Sequence, residues 1–185
     1  MAARPPFHAV YFDCDSTLSA IEGIDELVRP LPAAVQQELR ALTERAMNGE
    51  MPLAEVYERR LATIAPSRAQ VEAIAAMYIE REVIDAKAVV DALQFLGKTV
   101  GIVSGGLLPP VLALAHHLGI RGPHVVAVPI HFRPDGRYDG FDRACPLWKN
   151  GGKIDVLRAL PTAHRPLAFV GDGATDLETQ GTAAD

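Results

Sequence analysis

Asp13 and Asp15 stand two residues apart in "YFDCDST", directly after an apolar run. Side chains two apart on an extended chain share one face. A second acidic pair, Asp172 and Asp176 in "GDGATD", follows the apolar run "PLAFV". Ser104, Gly105 and Gly106 end a third run, and Lys153 follows Gly151 and Gly152. Several carboxylates with only a lysine of opposite sign nearby cannot share a low-dielectric site unless a cation joins them. An all-oxygen donor set favours Mg²⁺, which is held by one or two carboxylates, waters and a substrate phosphate. A serine hydroxyl and two glycines ahead of a helix form an anion cradle. Lys153 would complete it, in preference to Lys149, because the glycines before it allow close approach to a ligand. A single aspartate of this kind would be read as a helix cap. The whole set, at strand ends, points to a phosphate site with a metal.

Chemistry follows from that set. A carboxylate beside Mg²⁺ and a bound phosphate can attack phosphorus and form an aspartyl-phosphate. A second acid on the same face can protonate the leaving alkoxide and later deprotonate water. Asp13 is thus the expected nucleophile and a metal ligand. Asp15 is the expected general acid/base and gives its backbone carbonyl to the metal.

These residues need strands to carry them. Four short apolar runs end in polar or glycine-rich loops: "HAVYFDCD", "TVGIVSGG", "HVVAVPIHF" and "PLAFVGDG". Continuous runs of this kind suit strands covered on both faces, as in a parallel sheet. Helical patterns alternate with them over residues 86–97, 107–119 and 151–160, the first two stopped by Gly97 and Gly119. The fold class expected is α/β, a Rossmann-like doubly wound parallel sheet, with ligands bound outside the carboxyl ends of the strands. The stretch from Leu18 to Lys98 holds no strand pattern and is far longer than one crossover helix. It reads as several helices inserted above the sheet, a cap over residues 19–83 on a core of 1–18 plus 84–185. Asp-Gly within residues 133–141 predicts a hairpin.

Bulk composition narrows the partners. The chain has 185 residues, 49% hydrophobic, with net charge −5. That argues against nucleic acid as the main partner. Cys14 and Cys145 form no disulfide framework and fit a reducing compartment. The start, "MAARPPFHAV", carries no apolar leader, and no run is long enough to cross a bilayer. A cytoplasmic protein with no membrane partner is expected.

"DCDST", "SGG", "GGK" and "GDGATD", in that order, resemble the four motifs of the haloacid dehalogenase superfamily of phosphatases. "IEGIDEL", "RAMNGEMPLAEVYERRL" and "GDGATDLE" narrow the resemblance to its phosphoserine phosphatases, over nearly the whole chain. The resemblance implies a Rossmann-like core with a helical cap and Mg²⁺ held by Asp13, the Asp15 carbonyl and Asp172, with Asp176 in support. It implies that Ser104, Lys153 and a backbone N–H of Gly105 or Gly106 hold the phosphoryl oxygens. It further implies that Glu22 contacts the substrate amine and Arg60 its carboxylate. Arg60 has separate support, because Leu53, Tyr57, Arg60 and Ile64 share one helical stripe and an arginine on an apolar stripe needs a partner. The partner implied is a small phosphorylated substrate, phosphoserine, in the last step of serine biosynthesis, and a homodimer is the assembly open to such a chain.

Two positions depart from the family pattern. Leu53 stands where the family has an aromatic residue in its cap pocket, which leaves open a phosphatase for another small phosphomonoester. The sequence stops at Asp185, nine residues after Asp176, where the family continues with a further strand and helix. An exposed sheet edge is the expectation attached to that end, with a truncated form of little turnover as the alternative to a natural short form that keeps activity, since every motif is present.

Overall fold

The structure, a computed structural model, describes residues 7–181. Expectations attached to the first six residues and to the end at Asp185 lie outside them. In chain order the strands are β1 (Ala9–Phe12), β2 (Thr99–Leu107), β3 (Val125–Val128), β4 (Ile130–Phe132), β5 (Tyr138–Phe141) and β6 (Leu167–Val170). The helices are α1 (Gly23–Val28), α2 (Ala33–Met47), α3 (Leu53–Ile64), α4 (Arg68–Glu80), α5 (Ala86–Phe95), α6 (Leu108–His117), α7 (Gly152–Ala159) and α8 (Ala174–Leu177).

Among the described residues the main sheet has the order β3-β2-β1-β6, all parallel. All four residues of β1 are buried, which is why this strand reads as an unbroken apolar run. Ala9 pairs with Thr99 on one side and Leu167 on the other, and Phe12 with Ile102 and Val170. That register brings Asp13, Val103 and Gly171 to one level at the carboxyl edge. β6 has no further strand beside it among the described residues, and Val170 is 42% exposed.

Two departures from the sequence expectation have plain causes. "HVVAVPIHF" is not one strand. Pro129 cannot donate to a sheet ladder, so β3 ends at Val128 and β4 starts a separate antiparallel hairpin with β5. The hairpin turn passes through Gly136 at φ +83°. Also, β2 continues through Ser104–Gly106 to Leu107, and its register with β3 shifts between Val103 and Leu107. The cradle residues therefore occupy an irregular stretch whose backbone groups are not all spent on the sheet.

Helices α1 to α4 leave the sheet after β1, and α5 completes the crossover to β2. α4 starts with a capping box: Ser67 Oγ accepts from Gln70 N–H, while Gln70 Oε1 accepts from Ser67 N–H. α4 lies along α6 and touches α1. Its far end is stitched to the loop after β1, where Ala20 N–H donates to the Arg81 carbonyl and Val83 N–H to the Leu18 carbonyl. Tyr11, Ile102, Leu114, Leu157 and Leu167 fill the centre between sheet and helices with almost no exposure.

Candidate active site

Asp13 leaves the end of β1 buried at 8% exposure. Its own N–H donates to the Val170 carbonyl of β6, and its Oδ1 accepts from Cys14 N–H. Its Oδ2 accepts from Lys153 Nζ at 2.7 Å. Burial drives the Asp13 pKa above the ordinary carboxylate range, and the Lys153 ammonium offsets part of that rise. Burial alone would lower the Lys153 pKa, but the two carboxylates beside it hold it above its usual value. Those partners are Asp13 and Asp176, both nearly enclosed.

Close backbone approach sets this cluster. Gly152, in the first turn of α7, sits so near the Pro146 carbonyl that a Cβ would come within 2.0 Å of its oxygen. Only glycine lets α7 start there, and the next residue, Lys153, is thereby aimed at β1. Gly171 plays the same part after β6, where a Cβ would stand 2.2 Å from Asp176 Cγ. Asp176 Oδ2 in turn accepts from Gly173 N–H, which fixes the loop that carries Asp172. Asp172 is exposed and accepts from Thr17 Oγ1 at 3.0 Å.

Carboxylate oxygens of Asp13, Asp172 and Asp176 lie within 4.8 Å of one another. Three hard oxygen donors at the mouth of a cleft fit a divalent cation of the Mg²⁺ type. In the cradle, Ser104 is fully buried and its Oγ accepts from Gly106 N–H at 3.0 Å. The Gly105 carbonyl accepts from Tyr57 Oη of α3. Tyr57 packs edge-on against Phe141, which packs edge-on against Trp148, so the helical insertion rests on the hairpin.

Asp15 lies beneath the insertion. Burial raises its pKa to about 7, even though Tyr78 Oη and Gly23 N–H both donate to its Oδ1. Glu22 accepts from Ser16 Oγ at 2.6 Å, and burial raises its pKa as well. Arg60 pairs with Asp25 of α1, while its buried Nε has no hydrogen-bond partner among the described residues.

A cleft of about 270 Å³ brings these groups together. Asp13, Asp15, Ser104, Gly105, Gly106, Lys153, Asp172 and Asp176 line one side, with Glu22, Asp25, Tyr57 and Arg60 on the insertion side. All ten residues singled out in the sequence border this one space. Sequence reasoning missed Thr17, Gly23, Asp25 and Tyr78. Asp25 had no signal beyond an ordinary acid in the first turn of a helix. Tyr78 looked like helix core, and it is fully buried.

Comparison with known proteins agrees with this geometry. Residues 10–179 match the haloacid dehalogenase-like hydrolase family. Mouse phosphoserine phosphatase is 37% identical over 172 residues, covering 92% of this chain and 76% of the mouse protein. The solved phospho-aspartyl intermediate analogue of phosphoserine phosphatase superposes with a TM-score of 0.74 at 26% identity, over 97% of this chain and 85% of that one. A phosphoserine phosphohydrolase-like protein from Francisella tularensis shares the fold, with a TM-score of 0.79 at 24% identity over 95% and 83% of the two chains. With its motif loops on the carboxyl edge of a parallel sheet and relatives matched along most of its length, the chain belongs to the haloacid dehalogenase-like hydrolases, in their phosphoserine phosphatase branch.

Proposed function

We propose that the protein hydrolyses L-phosphoserine to serine and inorganic phosphate through an aspartyl-phosphate on Asp13. The observation that carries this reading is one cleft with a phosphate-type cluster on one side and Arg60 and Glu22 on the other. The similarity to mouse phosphoserine phosphatase supports the substrate.

In the first step Asp13 attacks phosphorus, the bond from phosphorus to the seryl oxygen breaks, and Asp15 gives its proton to that oxygen. In the second, water attacks phosphorus, its proton passes to Asp15, and the bond to Asp13 breaks. Ser104, Lys153 and a backbone N–H of Gly105 or Gly106 would hold the phosphoryl oxygens. A bound Mg²⁺, held by Asp13, the Asp15 carbonyl and Asp172, would offset negative charge where carboxylate meets phosphate. Asp176 keeps Lys153 in place. Residues 19–83 would act as the cap that excludes water and presents Glu22 to the substrate amine. The cytoplasm is the location this reading carries, in keeping with two free cysteines and no helix long and apolar enough to cross a membrane among the described residues.

Arg60 would take the substrate carboxylate, exchanging Asp25 for it and engaging its unpartnered Nε. Arg60→Ala is expected to raise KM for phosphoserine about 10- to 100-fold, the worth of a charge-assisted hydrogen bond or two. An ester without a carboxylate should be spared. Equal losses on both would remove Arg60 from substrate recognition. Leu53, half-buried on the cleft wall, favours a second reading, in which another small phosphomonoester is the substrate. Phosphate release from phosphoserine, phosphothreonine, phosphoethanolamine and p-nitrophenyl phosphate decides between them. The expected result is preference for phosphoserine with Mg²⁺ and no release in EDTA. Turnover of the others without phosphoserine would move the assignment to the second reading.

A further inference from the structure

Asp15 is oriented by a residue that belongs to none of the sequence motifs. Tyr78, near the end of α4, donates its hydroxyl proton to Asp15 Oδ1. Gly23 N–H, at the start of α1, donates to the same oxygen at 2.7 Å. Two donors satisfy both lone pairs of Oδ1, so that oxygen has no place for a proton of its own. The other oxygen, Oδ2, faces the phosphate cradle, 2.6 Å from where a Cβ on Gly106 would stand.

Tyr78 is built to stay where it is. It is fully buried, and its backbone carbonyl accepts from Ser19 Oγ. Its phenol presses on Gly23, where any Cβ would come within 2.2 Å of the hydroxyl oxygen. α4 itself is fixed along α6 and bonded to the loop that follows β1. The hydroxyl therefore moves with the core and with Asp15.

We infer that Tyr78 is a positioning residue for the general acid: together with Gly23 N–H it holds Oδ1 and reserves Oδ2, over the phosphate cradle, for the proton that goes to the leaving group. This rests on the two-carboxylate reading above. When the phosphorus–oxygen bond of an alkyl ester breaks, the proton leaves Oδ2 for the alkoxide, and the new carboxylate keeps its two donors on Oδ1. When water attacks, Oδ2 is free to take the proton back.

The leaving group tests this. An alkoxide needs the proton, whereas p-nitrophenolate leaves as a stable anion. Tyr78→Phe keeps the ring and loses only the hydroxyl. It is expected to lower kcat/KM for phosphoserine about 10- to 100-fold, a part of what a positioned acid contributes. kcat/KM for p-nitrophenyl phosphate should stay near the wild-type value. Gly23→Ala gives the second variant, because its Cβ would push the phenol hydroxyl off Asp15 while leaving it in the protein, and the same split is expected. Parallel losses on both esters, or no loss on phosphoserine, in a folded variant would overturn the assignment. A wild-type protein inert on both esters would instead sink the phosphatase reading itself.

Discussion

Asp13→Asn should leave a folded protein whose kcat for phosphoserine is lower by on the order of 10⁴- to 10⁶-fold, the scale of losing a covalent nucleophile. Asparagine has the shape of aspartate, and its one amide oxygen can still accept from Cys14 N–H, while the bond to Lys153 Nζ is lost and Lys153 keeps Asp176 as its partner. What it lacks is the charged oxygen that bonds to phosphorus. Folding and activity should therefore separate. The variant should keep a single cooperative melting transition, at a somewhat lower temperature, and acid quench after mixing with labelled substrate should trap phosphoenzyme in wild type and none in the variant. Appreciable turnover by the variant would rule out the covalent route and leave direct attack by water.

Lys153→Met should act in the opposite way, on stability first. The Lys153 ammonium sits between the Asp13 and Asp176 carboxylates, all three nearly enclosed. Removing one partner of a buried ionic cluster costs about 3–5 kcal/mol, because the remaining charges lie unpaired in a poor solvent. Methionine matches the length of the stem, so little of the loss is packing. Urea unfolding without metal should show that cost at neutral pH. Mg²⁺ should return part of it, as a second source of positive charge for the same oxygens. Asp13 is already pushed above its unfolded pKa by burial, and loss of the lysine pushes it further. The extra cost therefore appears as pH rises through the folded pKa of Asp13 and fades toward acid, where Asp13 is protonated in both states. A deficit of the same size in acid and at neutral pH, untouched by Mg²⁺, would mean that the lysine acts through packing alone.

The sequence made the carboxylate side of the cleft legible for a physical reason. Asp13, Ser104 and Asp172 each end an apolar run, and in a parallel sheet the ends of such runs meet at one edge. The alternation of strand and helix was legible in the same way, as was the stretch after β1 with no strand pattern. Legibility failed where a residue serves two purposes. Tyr78 has the pattern of core and is core, yet its hydroxyl reaches Asp15 across 63 positions of chain. Asp25 looks like an ordinary helix acid, and its pairing with Arg60 depends on how α1 meets α3. The division of one apolar run at Pro129 could have been foreseen, since a proline inside a run already argues against a single strand.

β1 lies inside the sheet, but the strand on its far side, β6, comes from the opposite end of the described chain. Thr17 and Asp172, which touch at the mouth of the cleft, are 155 positions apart, and Asp13 waits 140 positions for its lysine. During synthesis the acidic loop after β1 would emerge long before either its counter-charge or its third carboxylate exists. Closing so long a loop is entropically costly, though the cost grows only slowly with length. β1 and β2 can pair as soon as the insertion between them has formed. β6, the last of the described strands, is added after them, beside a β1 already paired with β2. Binding of a divalent ion by Asp13, Asp172 and Asp176, which come from either end of the described chain, would thus report the docking of β6 and draw it into place as it occurs.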